Sequence, residues 1–485
     1  MSHYNRRDFI KGTALATAAL ASSSHAAFDF PRIAKVSPRI SKPNDKLNIA
    51  VIGVGGKGHS NWKPMFDWGE NIVGLCDADR GRAESGLKEI KEKNPDADVK
   101  IYTDYRKMLD ECKNIDLVTV STPDHTHAPA AIRAMKLGCS VYVEKPLVRT
   151  IWEARYFEQV AKANKVHTQM GNQGSSDNNL RRSVEILHAG ILGNVTEVHV
   201  WTNRPIWPQG ITVEGSDPVP DNLDWESWIG TAPMRPFKKD TYHSFKWRGF
   251  FDFGTGAFGD MACHTMNLPF RGLKLGAVTS AECLKIVGKN KDTYPSQSIV
   301  KLVYAPRENM PAVNLFWYDG DQQKNDTTGF NDKMKALMPA AIATLGDVPH
   351  TGCLIIGDKG MLVSTNDYGA DSYIGFKGEE KMVSTRKKEA FEHIPEGAIV
   401  RNDGGQQREL VNAVKGVEVK NTTKGEKVTC FSDVDHSVPM LESMLVGCIA
   451  QQVEGKLTWD TKKQTFKNKE ADALLVPHIR KGWEY

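Results

Sequence analysis

The chain has 485 residues, with 63 Lys and Arg against 59 Asp and Glu, and a formal net charge of +4. So small a charge over that length, with the basic residues scattered rather than striped, argues against nucleic acid or an anionic membrane surface as partner and leaves a small molecule. Eight cysteines with no CxxC pair and no regular spacing argue against a disulfide framework and a zinc site, so no metal is expected.

Near the start, Arg6 and Arg7 precede Phe9, Ile10 and Lys11, and a short run of Ala, Leu, Gly and Thr leads to Ser24-His25-Ala26, a small-residue cleavage pattern. The stretch resembles a twin-arginine export signal, departing from it at Asn5, where Ser or Thr is commoner. Its apolar core of roughly a dozen residues is too short for a bilayer about 30 Å thick, and no other segment reaches about 18 uninterrupted apolar residues, so no membrane span is expected. The resemblance implies a signal peptide over 1–27, a partner in the twin-arginine machinery and a periplasmic or otherwise exported location for a protein folded before transport. A Pro- and Lys-containing linker is expected over 28–44. The remaining length, at a prior of about 150 residues per domain, suggests two domains, one of them large, divided as 45–165 and 166–485. Cys76 and Cys139, in or beside apolar strand-like runs, are expected as buried thiols.

The run from Leu47 to Val54 predicts a buried parallel strand, followed by Gly53, Gly55 and Gly58 in GxGxxG spacing with Gly56 between them. In such a loop one glycine makes a tight turn, one lets backbone approach a pyrophosphate, and one lets the next helix pack on the strand. The second apolar run, "NIVGLCDAD", ends at Asp77, 19 residues after Gly58, where a carboxylate can accept from an adenosine ribose 2′-hydroxyl. That favours NAD; Arg80 and Arg82 close behind leave NADP as the less favoured choice. A helical stretch from Arg82 to Lys93, a strand at "VKIYTD", a helix from Tyr105, the strand "DLVTVST", the helix "HAPAAIRAMKLG" and the strand "SVYVEKP" continue the alternation. Repeating units of this length predict an α/β fold with a doubly wound parallel sheet, whose ligands bind beyond the carboxyl ends of the strands. "STPDHTH", with Ser121, Thr122 and Pro123, and "EKP" fall at such ends.

Together, "VIGVGGKG", "STPDHTH" and "VEKP" resemble the Gfo/Idh/MocA family, named for glucose-fructose oxidoreductase, inositol dehydrogenase and MocA. The resemblance implies that Lys145 lies between the nicotinamide and the reacting hydroxyl, that Glu144 fixes that lysine or lines the cofactor site, and that Asp124 and His127 border the nicotinamide ribose. Chemistry agrees with the role for lysine: an ammonium beside a cationic nicotinamide in a partly dry pocket should lose proton affinity and become a usable base. Asp124 could equally serve ordinary Pro-Asp turn chemistry.

From "VHTQMGNQGSS" onward the pattern changes. A helix, "LRRSVEILHAG", precedes "NVTEVHVWTN", whose alternation predicts a half-buried antiparallel strand. "SAECLKIVG", "SIVKLVYAP", "AVNLFWYDG" and "CLIIGDKGMLVST" continue toward a large, mainly antiparallel open sheet with helices on one face, as the resemblance also implies. Asn172 and Gln173, where this half begins, are expected near the nicotinamide edge. In "WRGFFDFGTGAFGDMACHTMNLPF", Asp260 and His264 are four apart, so on a helix they share one face about 5 to 6 Å apart. The family pattern assigns such an aspartate to a substrate hydroxyl and the histidine to proton transfer with the lysine; an imidazole suits that task because its ordinary pKa is near 6.5. Trp247 and Arg248, with Tyr242 and His243, offer a stacking face and fixed donors for a polyhydroxylated ring, and Gly254, Gly256 and Gly259 can let backbone approach it.

The expected activity is an NAD-dependent oxidation of a sugar, glycoside or polyol hydroxyl, with Lys145, His264 and Asp260 as catalytic residues and a cofactor held tightly outside the cytoplasm. The alternative is a redox-neutral, NAD-dependent glycoside hydrolase, and a third possibility is a non-catalytic sugar or nucleotide sensor. Homo-oligomer contacts through the open sheet are a further expectation.

Overall fold

The computed structural model describes residues 28–39, 41–419 and 427–485, so the twin-arginine stretch lies outside the described residues. Six strands form a parallel sheet in the order β3-β2-β1-β4-β5-β6: β1 (Asn48–Ile52), β2 (Asn71–Cys76), β3 (Lys100–Tyr102), β4 (Leu117–Val120), β5 (Ser140–Val143) and β6 (Thr168–Met170). β1 and β4 are continuous apolar runs because helices cover both faces of the sheet: α1 (Lys57–Asp67), α2 (Arg80–Lys93), α3 (Tyr105–Glu111), α4 (Asp124–Met135) and α5 (Ile151–Asn164). Strand order reverses between β1 and β4, which opens a crevice at their carboxyl ends. β6 extends this sheet past residue 165, and α4 begins at Asp124, ahead of the apolar stretch that signalled it. Cys76 and Cys139 are buried, the latter with its thiol on the Ile115 carbonyl.

The second sheet runs β14-β13-β12-β11-β7-β10-β9-β8-β15, with β7 at Val195–Trp201, β8 at Val278–Val287, β9 at Gln297–Tyr304 and β10 at Val313–Tyr318. β11 (Gly352–Gly357), β12 (Gly360–Ser364), β13 (Ser372–Phe376), β14 (Val383–Ser384) and β15 (Leu457–Thr458) complete it. Its pairings are antiparallel except β7 with β10. α6 (Asn178–His188), α7 (Trp225–Ile229), α8 (Gly256–Thr265) and α9 (Asn267–Gly272) precede β8. Phe258 of α8 stacks on Trp317 of β10 at 4.6 Å, which docks α8 on the inner face.

Helices cover the outer face of this sheet too, where the expectation was helices on one face. α10 (Phe330–Leu337) and α11 (Pro339–Leu345) lay Phe330, Met334, Met338 and Ala341 against Trp201, Tyr318 and Leu354. β7 is therefore buried from Val198 to Trp201 rather than half-buried, with His199 between the Tyr318 hydroxyl at 3.0 Å and Glu197 at 2.7 Å. The chain also returns to the first domain: α12 (Gly405–Val414) packs Leu410, Val411 and Val414 into the core around β1 and β2, and α13 (Val434–Ala450) packs against α5.

Candidate active site

The crevice is shaped by glycines. Gly53 has φ +83°, and a Cβ there would lie 2.4 Å from the Ser121 carbonyl oxygen; at Gly58 a Cβ would fall 1.9 Å from the Gly53 carbonyl oxygen. Only hydrogen in place of a side chain lets β1, α1 and β4 meet this closely. Gly56 opens toward free space at the start of α1, which has no capping side chain and no acid in its first turn. Its first N–H groups and the positive end of its dipole are thus left for an anion. Gly55 lies under the Arg82 side chain.

Asp77 at the end of β2 accepts from the N–H groups of Val54 (2.9 Å) and Gly55 (3.3 Å) on one oxygen and from Asp79 (3.0 Å) on the other. Burial raises its carboxyl above the ordinary value, against the opposing pull of Arg82 and these donors. The carboxylate therefore pins the glycine turn while lining the same cleft. An uncapped helix start, an open glycine face and an acceptor at the end of β2 fit the pyrophosphate and adenosine ribose of NAD.

Residues between β7 and α8 roof this cleft. Asp79 takes a hydrogen bond from Asn222 (2.7 Å) and pairs with His243 (3.1 Å), while Trp228, Phe245 and Trp247 face the glycine turn across the opening. Arg82 pairs with Asp79 at 3.4 Å.

At the other end of the cleft, Lys145 follows β5 and donates to Asp260 Oδ1 at 2.8 Å, and Arg248 Nε donates to the same oxygen at 3.0 Å. Asp260 is mid-helix in α8, one turn before His264, and all three acidic or imidazole groups, Asp124, Asp260 and His264, are buried. Burial works to raise Asp260, but Lys145 and Arg248 overcome it and hold the carboxyl down at about 2. For Lys145, burial pulls the ammonium down and Asp260 outweighs it, so its pKa stands above the ordinary value. This corrects the expectation of a lysine with lowered proton affinity: a full counter-charge sits against its Nζ. His264 is pushed down to about 3 by burial and the nearby Lys145, so it is neutral, and its Nδ1 has no hydrogen-bond partner. Asp124 is raised to about 7 by burial and the Asp260 charge; one oxygen accepts from the Thr255 hydroxyl at 2.9 Å and the other is unpartnered.

Other sequence candidates take varied places. Glu144 is buried, accepts from Asn61 at 3.0 Å and lies 3.8 Å from Lys57. Ser121, Thr122 and Pro123 line the cleft beside it. His127 does not face the cleft: its ring nitrogens bond the carbonyls of Pro146 (2.7 Å) and Thr122 (2.9 Å), bracing the turns that carry Lys145 and Pro123. Asn172 is likewise a brace, donating to the Cys263 carbonyl at 3.1 Å and accepting from Ser432 at 2.6 Å. Gln173 has a buried carbonyl oxygen without partner. Trp247 lines the cleft under the Arg248 guanidinium, which lies 4.3 Å above its ring, whereas Tyr242 is buried among Trp225, Phe250 and Phe253. Gly254 abuts the Arg248 carbonyl, Gly256 the Tyr294 ring and Gly259 the Thr255 side chain, so each serves packing.

Sequence reasoning missed Lys57, Arg204 and Tyr368. Tyr368 sits edge-on to His264, 5.2 Å between ring centres, on a turn joining β12 and β13. Nothing in its local sequence marks it; only the Lys57 position, first in the helix after the glycine turn, carried a signal.

Residues 47–172 match the profile of the oxidoreductase family with an NAD-binding Rossmann fold, and residues 179–273 match that family's C-terminal α/β domain. Both of these profiles are those of the Gfo/Idh/MocA oxidoreductase family. The chain's Rossmann domain is an NAD-binding one. Among solved structures, the WlbA dehydrogenase from Chromobacterium violaceum, in complex with NADH and UDP-GlcNAcA, shares the fold at TM-score 0.56 and 15% identity, over 87% of this chain and 99% of that one. An inositol dehydrogenase homologue from Azotobacter vinelandii, complexed with NADH and myo-inositol, gives TM-score 0.56 at 14% identity over 87% and 99%. Curated relatives include a glycosyl hydrolase family 109 protein of a Shewanella species, strain ANA-3, 33% identical over 165 residues, and another of Shewanella baltica, strain OS185, 28% identical over 166. Each of these two matches spans 32% of this chain and 36% of the relative.

Proposed function

We propose that this protein oxidises a hydroxyl of a sugar, glycoside or polyol with an NAD it retains through the cycle, and that it works outside the cytoplasm. The observation that carries this reading is the Lys145, Asp260 and His264 group at one end of a cleft whose other end suits a dinucleotide. When bound, NAD supplies a hydride acceptor for the carbinol carbon. The Lys145 ammonium, fixed by Asp260, donates a hydrogen bond to the reacting oxygen and stabilises the charge that grows there. Neutral His264, one turn along α8 from Asp260, accepts the hydroxyl proton. Asp260 orients the lysine and can reach a neighbouring hydroxyl with its second oxygen. The roof tied to Asp79 supports a retained cofactor, because release requires those contacts to open. Retention suits the exported location that the twin-arginine resemblance implies, where no comparable dinucleotide pool is at hand.

A second reading, redox-neutral glycoside hydrolysis, is favoured by the glycosyl hydrolase family 109 relatives and by the same roof. There a ring hydroxyl is oxidised transiently, the adjacent C–H loses its proton, the aglycone leaves, water adds, and the carbonyl is reduced again. The test incubates the protein as purified with aryl glycosides and no acceptor. Free aglycone in many-fold excess over bound NAD supports hydrolysis; one-equivalent reduction of bound NAD at 340 nm, with keto-sugar accumulating only with an acceptor, supports the dehydrogenase. Neither signal with any sugar, glycoside or polyol overturns both.

A further inference from the structure

The charges around the reacting centre do not balance. Lys145 and Arg248 share the single carboxylate of Asp260, through the same oxygen. The neighbouring carboxyl of Asp124 is held up to about 7, so in neutral solution it is only partly ionised and its counter-charge is incomplete. Glu144 lies 3.8 Å from Lys57 and its charge also supports Lys145. Arg204 adds a further cation whose charge is felt at His264 and Tyr368; its guanidinium bonds the Asn203 side chain, and among the described residues no carboxylate pairs with it. The oxidised nicotinamide, when bound, brings another positive charge to this end. Buried or half-buried cations without counter-ions are costly, so the arrangement calls for an anion that the described residues do not supply.

Arg248 is built to meet it. Its Nε is taken by Asp260 and one terminal nitrogen by the Phe245 carbonyl at 3.1 Å, which leaves the second terminal nitrogen without an acceptor among the described residues. The guanidinium plane is fixed against Trp247 (4.3 Å) and Phe245 (4.5 Å), and the residue lines the cleft with Lys145. His264 Nδ1 and one Asp124 oxygen, both on residues at most 5% exposed, also lack a partner among the described residues.

We infer that the substrate is an acidic sugar, a uronic acid or its glycoside, whose carboxylate is received by the free terminal nitrogen of Arg248. The inference rests on the sugar-oxidising reading above and narrows it. A charge-assisted hydrogen bond from a guanidinium to a carboxylate corresponds to roughly tenfold or more in affinity.

The test uses the full chain as purified and sugar pairs that differ only at C6: glucose with glucuronic acid, galactose with galacturonic acid, mannose with mannuronic acid, and glucose 6-phosphate as the phosphate arm. Binding is followed by quenching of tryptophan fluorescence and, separately, by reduction of bound NAD at 340 nm. At least one uronic acid is expected to bind about tenfold or more tightly than its neutral partner, with an affinity that falls as ionic strength rises while that of the neutral sugar does not. Arg248→Gln is expected to abolish the preference and Arg248→Lys to keep part of it; the ionic-strength series on the parent stands even where a variant folds poorly. Neutral sugars that bind and reduce bound NAD as well as their acids overturn the acidic-substrate inference and leave the redox reading intact. A preference for glucose 6-phosphate over every uronic acid overturns the carboxylate. No response to any sugar overturns this inference together with the reading it rests on.

Discussion

Asp260→Asn removes the one negative charge that Lys145 and Arg248 share. In the parent that carboxyl is held at about 2 despite burial, against an unfolded value of 3.8. At about 1.36 kcal/mol per pH unit this gap is worth roughly 2.5 kcal/mol toward the charged carboxylate. The amide keeps the shape and loses the charge, leaving two side chains that are 13% and 18% exposed as unpaired cations. Breaking a buried pair by removing one partner costs about 3–5 kcal/mol, and we expect a loss of about 3 kcal/mol near pH 7. Lys145→Met combined with Asp260→Asn should recover part of that loss, because one stranded charge is then gone. The folded pKa is depressed, so the Asp260 contribution is complete above pH 3.8 and disappears as pH falls toward 2; the difference between parent and variant should shrink over that window. Urea and thermal unfolding followed by tryptophan fluorescence measure it. A variant within about 0.5 kcal/mol of the parent at pH 7, a typical surface effect, would refute the claim that this contact carries the local electrostatics.

Asp124 works in the opposite sense. Its folded pKa of about 7 lies above the unfolded 3.8, so the native state holds a proton that the unfolded chain has lost, and stability declines as pH rises from about 4 to 7. Asp124→Asn should remove that decline and gain up to about 4 kcal/mol relative to the parent above pH 7, read from melting curves across pH. Gly58→Ala drives a methyl into the Gly53 carbonyl and should cost most of the NAD that copurifies, assayed by extraction and chromatography; full cofactor content would contradict the loop geometry. Asp77→Ala frees two N–H groups of the glycine turn and that of Asp79, and should lower NAD content at least about tenfold, in line with lost charge-assisted hydrogen bonds. His264→Ala is expected to lower turnover by about 10²-fold or more with little change in NAD content, separating proton transfer from cofactor binding.

Much of the first domain was legible because its signals are local. The apolar runs of β1 and β4, the GxGxxG spacing and Asp77 each follow from what a few consecutive residues must do: cross a buried sheet, turn tightly, or end a strand with a carboxylate. The four-residue spacing of Asp260 and His264 placed both on one face of α8 for the same reason. What stayed hidden depends on residues far apart in the chain. Lys145 gains its counter-charge 115 positions away, so reasoning from burial and cofactor charge alone gave its proton affinity the wrong sign. His127 and Asn172 spend their polar atoms on backbone carbonyls and a serine that only the fold brings near. The cover that α10 and α11 place over the second sheet, the return of α12 to the first domain, and the tie from Asn222 and His243 to Asp79 have no periodicity to announce them. The sequence by itself determined the cofactor turn and the kinds of groups available for proton transfer, because local sterics and residue chemistry set both. The tertiary structure alone decided which of those groups carry charge, what shares Asp260, and how the cleft is closed, because electrostatics acts through space and not along the chain.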